Sequence, residues 1–261
     1  MTGRPTSEGA MFVTLSSVLI GAVIACGTAT AQQVVVTVRV VSRDAKIIGS
    51  GVGGARVIIR NAVTGQVLAS GSQEGGTGNT GRIVRDPHVR GELIYDGPDA
   101  ARFTATIAID TPTVVEVIGE GPLGIAHAMQ RAMKSVLLVP GQDIMGDGIV
   151  LELHGFIVEV LQPTSLSRDM TTVVARVRML CGCPLTPGGL WDADRVVVEA
   201  NVFQDGRLVR RAPLAYAGEE NMFSGKISLA DLPAGAALVV IAVDPTRVNF
   251  GRSVARLLPA R

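Results

Sequence analysis

Aromatic residues, charge and sulfur are all scarce in this chain. Aromatics make up 3% of its 261 residues, so a core must be assembled from Val, Ile, Leu and Ala rather than around rings. Lys and Arg are scattered and the formal net charge is +1, which excludes the basic stripe of a nucleic-acid binder and the polybasic tract of a membrane-surface protein. The three histidines, His88, His127 and His154, show neither H-x-H nor H-x-x-x-H spacing and read as isolated surface or hydrogen-bonded side chains. No G-x-S-x-G occurs, and the glycine-rich Gln73–Gly81 stretch lacks the lysine and the spacing of a phosphate loop. With titratable groups few and unclustered, the sequence points away from an enzyme and implies no obligatory cofactor.

What is present is branched aliphatic sequence in short runs. Hydrophobic residues reach 47%, which rules out disorder and permits a sizeable core. Val-rich runs favour strands, because a branched β-carbon suits a pleated surface and crowds a helix. In Val34–Val41, Val36, Val38 and Val40 share one face while Thr37 and Arg39 share the other. The same period of two recurs at Ala55–Arg60, Arg102–Ile109, Thr113–Ile118, Phe156–Leu161, Thr172–Leu180 and Arg195–Phe203, and apolar Ala236–Val243 has the character of a central strand. Between them the 31 glycines and 13 prolines provide turns such as Gln204-Asp205-Gly206. One segment departs from this period. Ile125, Met129 and Met133 recur at helical spacing, which predicts one short amphipathic helix over Leu123–Lys134 covering a sheet edge.

The N-terminus carries a different signal. Met11–Ala25 is an uncharged apolar run followed by Ala29-Thr30-Ala31, the order of a secretion signal with an A-x-A cleavage site. It is short for a bilayer span. Val23-Ile24-Ala25-Cys26 resembles a bacterial lipobox, which would make Cys26 a lipidated first residue, whereas ordinary cleavage would leave Gln32 first. A third reading leaves the run uncleaved as an anchor, and under all three the chain is exported to the periplasm or cell envelope.

The strand spacing also carries two resemblances. From Phe156 to Leu258, VVVEANVFQDGRLV followed by FSGKISL and AALVVIAV is similar to bacterial immunoglobulin-like β-sandwich modules of exported proteins. Residues 34–120, with the hairpin GARVIIRNAVTGQVLASG, resemble the prealbumin-like accessory sandwich of such proteins. The resemblances imply an all-β fold of two sandwiches and export, and no particular activity. The expected organisation is a secretion signal at 1–31, a first sandwich with the helix at 32–154, and an immunoglobulin-like sandwich at 155–261.

Cys181-Gly182-Cys183 is the motif richest in chemistry. Residues two apart can reach disulfide range, and Gly182 tolerates the bent backbone. Alternatively Met179, Cys181 and Cys183 offer a soft ligand set suited to Cu(I), or the pair serves redox exchange or an intermolecular bridge. Two further clusters place carboxylates in glycine-rich turns, Asp192 with Asp194 and Asp143 with Asp147. Such carboxylates hold either their own backbone or a calcium ion. The function expected from these features is a non-catalytic binding or structural protein of the envelope, whose partner is another envelope or extracellular protein. The membrane would be touched only through a lipid on Cys26. The alternative is a periplasmic copper or redox accessory protein centred on Cys181 and Cys183.

Overall fold

The computed structural model describes residues 1–3, 31–161, 170–228, 230 and 236–256. Residues 4–30 of the proposed signal, including Cys26, lie outside them. Seven strands precede residue 154: β1 (Gln32–Ser42), β2 (Ala55–Asn61), β3 (Val67–Gln73), β4 (Phe103–Ile109), β5 (Thr113–Gly121), β6 (Gln130–Leu138) and β7 (Ile144–Leu153). They form two sheets, ordered β4-β1-β7 and β3-β2-β5-β6. β1 is central, antiparallel to β4 along Gln32–Val38 and parallel to β7 along most of its length. Val34, Val36, Val38 and Val40 are fully buried and meet Val57 and Ile59 of β2 and Val115 and Val117 of β5. Each such burial contributes about 1.5–3 kcal/mol.

Beyond Val38 the β4 side of β1 has no strand partner, and a side chain takes its place. Fully buried Gln73 accepts from the Val40 N–H at 2.7 Å and donates to the Val40 and Ile48 carbonyls, each at 2.9 Å. This satisfies the Val40 N–H and the Ile48 carbonyl, while the Val40 carbonyl also accepts from the Ile48 N–H at 3.0 Å.

The polar face of β1 is also buried. The long connection from β3 to β4 folds across it, and Ile83, Ala100 and Ala101 pack there on Val41 and Ile47. Thr37 and Arg39, expected on an open polar face, are 5% and 0% exposed. Arg39 donates to Asp96 at 2.8 Å and to the Gly146 carbonyl at 3.1 Å. Its Nε and Nη1 find no protein acceptor. Asp147 fixes the same connection by accepting from the N–H groups of Ile94, Tyr95 and Asp96 at 2.7–2.9 Å. Tyr95, half-buried beneath, has its phenol pushed up by burial and then by Glu152 and Asp147.

The helix expected over Leu123–Lys134 is absent. A single 3₁₀ turn occupies Ala126–Ala128, and the chain then runs as β6, paired with β5 from Gly121↔Gln130 to Thr113↔Leu138. The helical stripe was misleading because Met129 and Met133 are not a buried face; they are 45% and 53% exposed. Ala132, Val136 and Leu138 turn inward instead, so the strand period and an inter-strand ladder outweigh the i, i+4 coincidence.

Eight strands follow: β8 (Phe156–Leu161), β9 (Met170–Met179), β10 (Val197–Gln204), β11 (Arg207–Pro213), β12 (Ala215–Tyr216), β13 (Met222–Ser228), β14 (Ala237–Asp244) and β15 (Asn249–Arg256). They form sheets ordered β12-β13-β9-β8 and β11-β10-β14-β15 around an aliphatic core holding Val177, Val198, Val240 and Phe223. The molecule is all-β. No helix among the described residues is long and apolar enough to cross a membrane.

Arg39 makes Asp96 more costly to lose than its exposure suggests. Asp96→Ala strands a buried guanidinium and should cost about 3 kcal/mol in urea unfolding, against less than about 1 kcal/mol for an exposed pair. Adding Arg39→Met should recover most of that loss. A single-variant loss within the exposed range contradicts the arrangement.

Candidate functional site

The cysteine motif lies just past β9. Cys181 and Cys183 are joined by a disulfide, with α-carbons 5.4 Å apart, and both are buried in the second core with Met179. The Gly182 N–H donates to the Met179 carbonyl at 2.8 Å, and the Met179 N–H donates to the Cys183 carbonyl at 3.1 Å. Gly182 has φ +81°, and a β-carbon there would lie 2.9 Å from Val52 of the first half. Glycine is thus required by conformation and by space together. In the bonded form neither sulfur is a thiolate, so Cu(I) ligation by Met179, Cys181 and Cys183 requires reduction. No group of three or more His, Cys, Asp or Glu side chains among the described residues could hold a metal ion.

The turn sits at a junction between the two halves. β7 ends at Leu153 and β8 begins at Phe156, so only His154 and Gly155 separate them. Ile157 and Leu180 of the second half are buried in the first core, and Ala45 of the first half in the second. Fully buried Asn249 bridges them: its Oδ1 accepts from the Gly155 N–H at 2.9 Å and its Nδ2 donates to the Arg43 carbonyl at 3.3 Å. Two histidines do the same at the edges, His127 donating to the Val158 carbonyl at 2.8 Å and His154 to the Val248 carbonyl at 3.0 Å. His88 donates locally to the Ile83 carbonyl at 3.2 Å.

Beside the junction lies a cavity of about 240 Å³ around Trp191, whose indole N–H donates to the Asp44 carbonyl at 2.9 Å. Its charged groups face one another. Arg247 pairs with Asp44 and, at 3.4 Å, with Asp244, while Arg195 stands 3.9 Å from Asp192. Asp192 also accepts from the Gly188 N–H at 2.9 Å and the Asp194 N–H at 3.1 Å. The Gly188 N–H first, then that of Asp194, hold its carboxyl below the usual carboxylate range, with Arg195 and Arg247 assisting and desolvation opposing. Asp143 likewise accepts from the Val35 N–H at 2.8 Å. These carboxylates organise backbone, and no nucleophile–base pair accompanies them in the cavity lining. Arg39, Gln73 and Asn249 carried no sequence signal, because their partners lie between 25 and 206 positions away.

No known protein family and no curated protein matches the sequence. Among solved structures, the chain is similar to a DUF3823 family protein from Bacteroides uniformis at 12% identity and TM-score 0.28. That overlay covers 87% of this chain and all of the other. A chain from the complex of ICOS with ICOS-L and an anti-ICOS-L VNAR domain overlays at 10% identity and TM-score 0.24, covering 87% and 95%. Both overlays are loose, and the all-β assignment rests on this chain's own strands and sheets.

Asn249→Ala leaves the buried Gly155 N–H and the half-buried Arg43 carbonyl without this partner and should cost about 2 kcal/mol in urea unfolding. The loss should fall on both halves at once, as one transition followed by tryptophan fluorescence and far-ultraviolet dichroism alike. Separation into two transitions contradicts the shared cores. Asp192 has a lower pKa folded than unfolded, so its stabilisation is complete above the ordinary carboxylate range and is lost as pH falls through the folded value. Asp192→Asn keeps an acceptor oxygen but no charge. The stability gap between wild type and this variant should therefore shrink between pH 7 and about pH 3; a constant gap contradicts the assignment.

Proposed function

We propose that this protein is an exported, non-catalytic binding protein of the cell envelope, in which two sandwiches form one stiff platform for another protein. The first sandwich is taken as prealbumin-like and the second as immunoglobulin-like, on the sequence resemblances above. The observation that carries the binding role is where apolar side chains remain exposed. Met133 and Leu137 of β6 are 53% and 54% exposed, and Phe250 and Val254 of β15 are 50% and 59% exposed. Both strands stand at the edges of their sheets, where an extended partner can add a strand. The charges of the Trp191 cavity are meanwhile committed to one another and to backbone. Export is supported by the N-terminal apolar run and A-T-A site, together with a disulfide suited to an oxidising compartment.

Expression in the native cell followed by fractionation and mass analysis tests this reading. The expected product is an envelope or secreted form beginning at Gln32 or at a lipid-bearing Cys26. Cross-linking in the same cells should join it to another envelope protein. Recovery from the cytosol with Met1–Ala31 intact overturns export, and cross-linking to no protein overturns the binding role.

A further inference from the structure

We infer that the outer face of the β11-β10-β14-β15 sheet docks a second copy of this chain, forming a two-fold dimer. This goes beyond the partner proposed above and does not depend on it. Val198 and Ala200 of β10, and Val240 and Ala242 of β14, point into the second core. Alternation therefore turns Val197, Glu199 and Asn201 of β10 outward, with Val239, Ile241 and Val243 of β14 beside them. Residues paired directly across a ladder share a face, which adds Phe250, Arg252 and Val254 of β15. The outer face thus carries three rows: Val197, Val243 and Phe250; then Glu199, Ile241 and Arg252; then Asn201, Val239 and Val254. Val197, Phe250 and Val254 are exposed, and the three β14 residues between them are partly so.

Charge selects the occupant and its orientation. The only charged members of the three rows are Glu199 and Arg252, which flank Ile241 in the middle one. Glu199 is approached from the side by exposed Arg211 at 3.5 Å, while Arg252 is exposed and makes no ion pair among the described residues. A uniformly acidic partner would repel Glu199, and a uniformly basic one would repel Arg252. A surface with one charge of each sign across an apolar centre answers both, and this face is itself such a surface. A two-fold axis along β14 exchanges the β10 and β15 sides and keeps the rows in step. It sets Arg252 of each copy against Glu199 of the other, Ile241 against Ile241, and Phe250 against Val197. An axis along the middle row would instead set Arg252 on Arg252 and Glu199 on Glu199. Sheets packed face to face stand about 10 Å apart with strands within about 30° of one another, a gap that an arginine and a glutamate span together. Strand spacing and rise give a flat patch of about 400–500 Å² per copy, at the low end for a specific interface, so the dimer should be reversible.

Sedimentation equilibrium of the full mature protein, with its disulfide intact, tests this. A monomer–dimer equilibrium with a Kd of about 1–100 µM is expected. Arg252→Glu and Glu199→Arg should each weaken it about tenfold or more by bringing like charges together. The two substitutions combined exchange the charges and should restore the dimer to within about threefold of wild type, a rescue that mere destabilisation does not give. Val254→Asp, which places a charge in the apolar third row, should also weaken association. Lys226 is exposed on β13, in the opposite sheet. Lys226→Glu makes the same change of charge as Arg252→Glu and should leave the dimer unaltered; circular dichroism verifies that every variant folds. A wild type that stays monomeric up to about 1 mM overturns the proposal. So does a dimer that survives both single reversals, a double variant that does not recover, or equal weakening by Lys226→Glu.

Discussion

β1 is enclosed on both faces, and the rest of the first half is arranged around that constraint. A strand inside a sandwich normally keeps one face for the core and leaves the other to water. Here the valine face meets the opposing sheet and the threonine–arginine face meets the β3–β4 connection. Enclosure brings a guanidinium out of water, which is costly unless it is paired and hydrogen-bonded. Asp96 and the Gly146 carbonyl provide that pairing, and Asp147 holds the backbone that presents Asp96. Gln73 answers the same constraint in the plane of the sheet, where β4 no longer reaches β1.

The second consequence is stiffness between the halves. Two sandwiches separated by a flexible linker would each close their own core. In this chain Ile157 and Leu180 fill the first core and Ala45 the second, while Asn249 spans the seam. The disulfide turn belongs to this seam, since Gly182 lies against Val52. Reducing Cys181 and Cys183 would therefore perturb contact between the halves before it exposed any ligand.

Within the proposed role, these polar clusters are structural. Asp143, Asp147 and Asp192 each hold backbone N–H groups, and His127, His88 and His154 each hold a carbonyl. Some of these bonds are part-buried and others exposed, and each meets a backbone group with one side chain. Apolar side chains stay exposed on β6 and β15, where Met133, Leu137, Phe250 and Val254 face solvent, and also elsewhere, as at Val67 of β3 and Met145 of β7.

The sequence by itself determined the strands. Val34–Val41, Ala55–Arg60, Thr113–Ile118 and Phe156–Leu161 lie within or match observed strands, because alternation of side-chain direction is a local property that burial writes directly into the chain. The cysteine pair was legible as far as its reach, but not its bond. Only tertiary structure decided that Leu123–Lys134 yields a turn and part of an edge strand, since nine paired positions on β5 outweigh a helical coincidence of Ile125, Met129 and Met133. Only tertiary structure, too, decided that Arg39 is buried and that Asn249 joins the halves. Each of these depends on segments remote in sequence, and no local period encodes what a distant loop will cover.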